Sequence, residues 1–70
     1  MKLSIQQALQ QGVLAHRSGR FKEAESFYKT ILNIDPNHPD ANHNLGVLYV
    51  SLNKSENAIE LFKEALKTNS

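Results

Sequence analysis

Apolar residues along this chain recur at three- and four-residue steps, without sustained alternation, and that rhythm predicts helices. Four stretches carry it. The first runs from about Ile5 to Arg17, with Ile5, Ala8, Leu9, Gly12, Val13 and Ala15 at helical spacing. Ser4 and Gln7 stand where a capping box would start it, and Ser18-Gly19 offers a left-handed stop. The second runs from about Phe21 to Asn33 on the stripe Ala24, Phe27, Tyr28, Ile31, Leu32. Asp35-Pro36 ends it, because a residue before proline is pushed out of the helical region. The third, about Pro39 to Leu52, carries Ala41, Leu45, Val47, Leu48 and Tyr49, with Pro39 at a first-turn position where its missing N–H costs nothing. The fourth, about Ser55 to Lys67, has Ser55 as its cap, Glu56 in its first turn and the stripe Ala58, Ile59, Leu61, Phe62, Ala65, Leu66. Glu60 with Lys63 and Glu64 with Lys67 add pairs of about 0.2–0.5 kcal/mol each. Short links between consecutive helices imply antiparallel neighbours, and the fold class expected is all-α.

The helices repeat. Gly12-Val13-Leu14 returns as Gly46-Val47-Leu48, an offset of 34 residues. The same offset maps Ala24 to Ala58, Tyr28 to Phe62, Lys29 to Lys63 and Leu32 to Leu66. It also maps Gly19 to Asn53, and Asn is the non-glycine residue that best tolerates a left-handed backbone. The expectation is a single domain over residues 1–70, built of two units, 5–36 and 39–70. A unit of this length cannot bury its apolar face alone, so copies stack.

These residues resemble the tetratricopeptide repeat, a helix-turn-helix unit of this length. Ala8, Gly12, Ala24, Tyr28 and Pro36 sit at that family's spacing in the first copy, and Leu45-Gly46, Tyr49, Ala58, Phe62 and Ala65 in the second. Gln11, Ala15 and Ile31 depart from it; Asn42 replaces the usual aromatic, and Ser70 stands where the closing proline belongs. The resemblance implies two tandem units stacked as a short right-handed α-solenoid. Gly12 and Gly46, with Ala24 and Ala58, would let paired helices approach closely, while Tyr28 and Phe62 fill the space toward the neighbouring unit. Pro36 and Tyr49 complete the structural set.

Composition removes several function classes. Net charge is +1 with no run of Lys or Arg, which gives no footprint for nucleic acid or an anionic membrane. No cysteine is present, so disulfides and thiolate chemistry are excluded. The N-terminus lacks the apolar stretch of a signal peptide, and no apolar run reaches the length of a membrane span. A cytoplasmic location is the expectation. No Gly-rich phosphate loop or nucleophile arrangement is seen, so the chain reads as no enzyme, with no cofactor and no metal. His38 and His43 are five apart, and His16 and His43 fall about two helical turns apart. All three read as surface or rim histidines. Glu23, Glu25, Glu56, Glu60 and Glu64 read as solvated.

What remains is a surface. In the family, the first helix of each pair lines a concave groove. The resemblance carries that role to Gln6, Leu9, Gln10, Val13, His16 and Arg17, and to Asp40, His43, Asn44, Val47, Val50 and Ser51. Chaperone-binding members grip a carboxylate with a Lys and two Asn; here Leu9 and Val13 stand at two of those places and only Asn44 matches. The stretch from His38 to Tyr49 is similar to repeats of O-linked N-acetylglucosamine transferase arrays, whose groove carries an asparagine ladder, with Asn44 at the ladder position and Gln10 in the first copy. The function implied is a non-catalytic module that binds a protein or peptide segment, as the N-terminal part of a longer repeat protein. Two other readings stay open: a structural spacer or self-association unit, and the substrate-recruiting front end of a larger transferase. The stripe Ala58, Phe62, Ala65, Leu66 is the expected face for a further repeat or for a second copy in a homo-oligomer.

Overall fold

The computed structural model describes residues 3–69, and within them every side chain except those of Ser55, Thr68 and Asn69. Ser70, the departure from the closing proline, lies outside the described residues. The chain folds into four helices: α1 (Ile5–Arg17), α2 (Phe21–Ile34), α3 (Pro39–Ser51) and α4 (Ser55–Asn69). Among the described residues there is no strand. Helices α1 and α2 pack as one hairpin, α3 and α4 as another. The hairpins stack chiefly through α2 against α3, with a thinner seam between α1 and α3. This is an all-α solenoid of two units.

Helix boundaries follow from local chemistry. The Ser4 hydroxyl accepts from the Gln7 N–H at 3.1 Å, and the Ser4 N–H donates to Gln7 Oε1 at 2.9 Å, so the capping box is present. Just past the end of α1 the chain turns at Gly19 (φ 78°), and just past the end of α3 at Asn53 (φ 61°). Beyond them Arg20 N–H donates to the Ala15 carbonyl at 2.8 Å and Lys54 N–H to the Tyr49 carbonyl at 2.7 Å. The same closing bond therefore recurs one unit on, with Asn in the place of Gly. Helix α2 runs to Ile34, one residue past the expected stop, because only Asp35 directly precedes the proline. Helix α3 stops at Ser51, short of Leu52. Helix α4 begins on Ser55 itself, one residue earlier than a cap at that position would put it.

One core joins the hairpins. Ala15, Ala24, Tyr28, Leu45, Leu48, Tyr49 and Ala58 are buried together, and Ala8, Ile31 and Ala41 form a second cluster. A β-carbon added at Gly12 would sit 2.5 Å from Tyr28 Cε1; one added at Gly46 would sit 2.6 Å from Phe62 Cε1. The glycines thus make room for an aromatic ring from the partner helix of the same hairpin. Asn42, where the repeat pattern has an aromatic, is buried too. Its amide donates to the Pro36 and His38 carbonyls, both at 3.1 Å, and ties the inter-unit turn to α3. A buried polar side chain is tolerated when its bonds are made.

Three expectations need correction. Ala58 and Ala65 are buried, so of the expected α4 face only Leu66 and the half-buried Phe62 stay open, and Ile59 joins them. Glu25 is not simply solvated: it is half-buried and accepts from the Tyr49 hydroxyl at 2.7 Å. His38 is more than a rim residue. Its Nδ1 accepts from the Ala41 N–H at 3.1 Å and caps α3.

Candidate functional site

Helices α1 and α3 lie side by side, and their exposed flanks leave two adjoining hollows of about 420 and 410 Å³. The first is lined by Val13, His16, Arg17, Phe21, Tyr28, Asn44 and Val47. The second is lined by Leu9, Gln10, Val13, Leu14, Asp40 and Asn44. Val13 and Asn44 belong to both, so they form the waist of a single furrow. Its walls are mainly apolar, aliphatic at Leu9, Val13, Leu14 and Val47 and aromatic at Phe21 and Tyr28, and its two ends carry opposite formal charges, Asp40 on one hollow and Arg17 on the other.

Helical register explains the gathering. Leu9, Val13 and His16 follow three- and four-residue steps on α1, as Asp40, Asn44 and Val47 do on α3. Asn44 is half-buried at the waist. Ser51 stands beside the furrow, its hydroxyl 3.4 Å from His16 Nε2 and donating to the Val47 carbonyl at 3.2 Å. The His16 ring meets Phe21 edge-on, with centroids 5.6 Å apart, and this holds the imidazole at the furrow's end.

Eight of the twelve groove residues expected from sequence line these hollows, and Ser51 adjoins them through His16. Gln6, His43 and Val50 are exposed but line neither. His43 leans instead on the Phe62 ring, 5.5 Å between centroids. Sequence reasoning missed Phe21, Tyr28 and Leu14. Tyr28 packs in the core, and its buried ring also closes the furrow's floor; burial pushes its hydroxyl's pKa up. Phe21 opens α2 five residues after His16, and that proximity was the available signal.

The Tyr49–Glu25 bond braces this arrangement by joining α3 to α2. Lys29 Nζ lies 3.4 Å from the same carboxylate oxygen, and Lys54 Nζ sits 5.7 Å from the Tyr49 ring centroid. The Tyr49 bond, with help from the Lys29 and Lys54 charges, holds the Glu25 carboxyl below its ordinary value despite opposing desolvation. Burial first, and the Glu25 contact second, push the Tyr49 hydroxyl up to about 12.

A family model described as the tetratricopeptide repeat matches residues 4–69. The chain belongs to the tetratricopeptide repeat family. Among curated proteins, no relative matches it. Tetratricopeptide repeats generally mediate contacts between proteins, and the furrow lies between the first helices of this chain's two repeats. No helix among the described residues is long and apolar enough to cross a membrane.

A further hollow of about 440 Å³ lies elsewhere, bounded by Ile5, Ala8, Phe27, Ile31 and Ile34 with Leu3, Ser4, Ser26 and Thr30 at its edge. The methyl of Ala8 leaves this space open. The Thr30 hydroxyl already donates to the Ser26 carbonyl at 2.9 Å, so the hollow is an aliphatic dent with little to orient a ligand.

Proposed function

We propose that this tetratricopeptide repeat chain is a non-catalytic interaction module, with units at 5–36 and 39–70, that takes an extended protein segment along the furrow between α1 and α3. One observation carries the reading: two largely apolar hollows joined at Val13 and Asn44, with Asp40 at one end and Arg17 at the other. An extended segment presents side chains alternately, so two apolar residues can enter the hollows while the backbone between them passes Asn44. The Asn44 amide offers both a donor and an acceptor to that backbone. Asp40 favours a basic residue at one end of the segment and Arg17 an acidic one at the other, which sets direction more than affinity.

The asparagine-ladder resemblance supports the Asn44 role and supplies one rung only, Gln10 being its counterpart. The test is a peptide array probed with the chain and with Val47→Glu and Asn44→Ala, helicity being checked by circular dichroism. Expected is loss of bound peptides with Val47→Glu and about a fivefold or greater weakening with Asn44→Ala, the scale of one hydrogen bond. Peptides that bind both folded variants as tightly as the original would rule the furrow out.

A further inference from the structure

The outer side of α4 is apolar and open. Ile59 is 52% exposed and Leu66 71%, with Phe62 half-buried between them. One unit back, the matching residues are Glu25, Tyr28 and Leu32. Those lie against α3: Tyr28 is buried in the core, Leu32 packs on it, and Glu25 is bonded to Tyr49. The same helix side is therefore covered in the first unit and uncovered in the second, and Ile59 stands where the covered copy has a carboxylate.

The opposite face of the molecule does not match it. Besides Tyr49, which bonds Glu25, the buried α3 residues clustered with α2 are Ala41, Leu45 and Leu48. Their counterparts on α1 are Gln7, Gln11 and Leu14, all exposed. Seating two glutamines against an apolar helix would strand the Gln11 amide and the amide nitrogen of Gln7, which disfavours head-to-tail stacking of copies.

The charges beside the α4 seam complement themselves instead. Ile59, Phe62 and Leu66 step i, i+3, i+7, and the strip along one side of them reads Glu56, Glu60, Lys63, Lys67. It is acidic toward the helix N-terminus and basic toward its C-terminus. An antiparallel pair of α4 helices lays each acidic half over the other copy's basic half. A parallel pair turns the two strips to opposite sides of the seam, where these charges do not meet.

We propose that two copies of this chain pair through α4, antiparallel about a two-fold axis near the middle of the helix, with Ile59, Phe62 and Leu66 as the seam. Lys63 of each copy lies within reach of Glu56 and Glu60 of the other. A closed pair of this kind uses one patch twice. One helix pair falls short of the roughly 800 Å² per partner of a standard interface, so the pairing is weak and concentration-dependent. It leaves the α1–α3 furrow open and does not depend on what binds there.

Sedimentation from about 10 μM to about 1 mM, the range that suits so small an interface, tests it. The expected result is a reversible monomer–dimer equilibrium. Leu66→Glu, at an exposed position, should weaken pairing about tenfold or more with helicity unchanged, because it would bury a charge in the seam. Ile59→Lys should do the same. Two strip variants report orientation: Lys63→Glu/Lys67→Glu is all acidic and Glu56→Lys/Glu60→Lys all basic. Each alone should stay monomeric, and their mixture should form heterodimers. A folded monomer at the highest concentration, a dimer indifferent to Leu66→Glu, or strip variants that pair with themselves as readily as with each other would each overturn the proposal.

Discussion

The ring of Tyr28 lies over Gly12 and the ring of Phe62 over Gly46, at the same place in two copies of one unit. Tyr28 is 1% exposed, because α3 covers it; Phe62 is only half-buried, with His43 leaning on one side. Sequence position is shared and burial is not. In a repeat, a residue's contribution depends on whether a neighbour is present, since each unit contacts only the next. The comparison can be broken by truncating both rings. Tyr28→Ala should cost about 3–5 kcal/mol, the usual price of emptying a core aromatic. A domain of this size holds about as much in total, so the variant should be largely unfolded by circular dichroism. Phe62→Ala should cost about half or less, because its ring is already partly hydrated. Equal losses would mean that α4 is covered in solution, and a loss for Phe62→Ala that grows with protein concentration would tie the cover to pairing.

The glycines sharpen the same contrast. Gly12→Ala forces its methyl against a ring that the core holds in place, and should cost about 1–3 kcal/mol despite a better helix propensity. At Gly46 the opposing ring is on an open side and can swing away. The propensity gain of about 1 kcal/mol then offsets the contact, and Gly46→Ala should be near neutral in urea unfolding. A Gly46→Ala penalty equal to that of Gly12→Ala would show that Phe62 is as confined as Tyr28.

What the sequence revealed, and what it hid, divides along these lines. The four helices and their two-copy register were legible because spacing and stop signals are local: Ser4 with Gln7, Gly19 with Asn53, Pro39. Most residues that line the two hollows were legible because α1 and α3 share a register. Hidden were contacts made by one residue's reach across the fold. Glu25 looks solvated on its own helix until α3 brings Tyr49 to it, 24 positions away. His38 gives no cap signal that Ser or Asp would give, yet its ring nitrogen meets the Ala41 N–H. The α4 stripe places Ala58 and Ala65 beside Phe62 and Leu66 on one face, yet both alanines are small enough to vanish beneath α3 while Ile59 stays exposed.

The Glu25–Tyr49 bond exists only at the junction of the copies, since the counterparts of its partners are Ile59 and Ala15. Its pH dependence can be read from both members. The Glu25 carboxyl sits below its ordinary 4.5 when folded, so its contribution is present above about pH 4.5 and is lost as pH falls through the folded value. The Tyr49 hydroxyl is raised from 10.0 to about 12, so its contribution is complete below pH 10 and is lost as pH rises toward 12. Stability should therefore hold a plateau between those limits as far as this pair is concerned. Tyr49→Phe should cost about 1–2 kcal/mol within the plateau, a hydrogen bond to a partly solvated carboxylate, and should flatten both slopes. Urea midpoints measured across pH would check it; slopes unchanged in Tyr49→Phe would assign them to other groups.

A smaller loss than that at Tyr49 belongs to the stops. Gly19 and Asn53 share a left-handed backbone and the same closing bond, and an added β-carbon at Gly19 would touch nothing within 4 Å. Substitution there isolates backbone strain from packing. Gly19→Ala should cost about 1 kcal/mol, because alanine has neither glycine's freedom nor asparagine's local hydrogen bonding in this region. Gly19→Asn should cost about half of that, and Asn53→Gly should gain a few tenths of a kcal/mol, limited by the greater freedom glycine has when unfolded. The pair of exchanges is checked by denaturant midpoints at constant slope. If Gly19→Asn proved as costly as Gly19→Ala, Asn53 would be carrying strain that the second copy offsets elsewhere, and the two stops would be alike in geometry but not in energy.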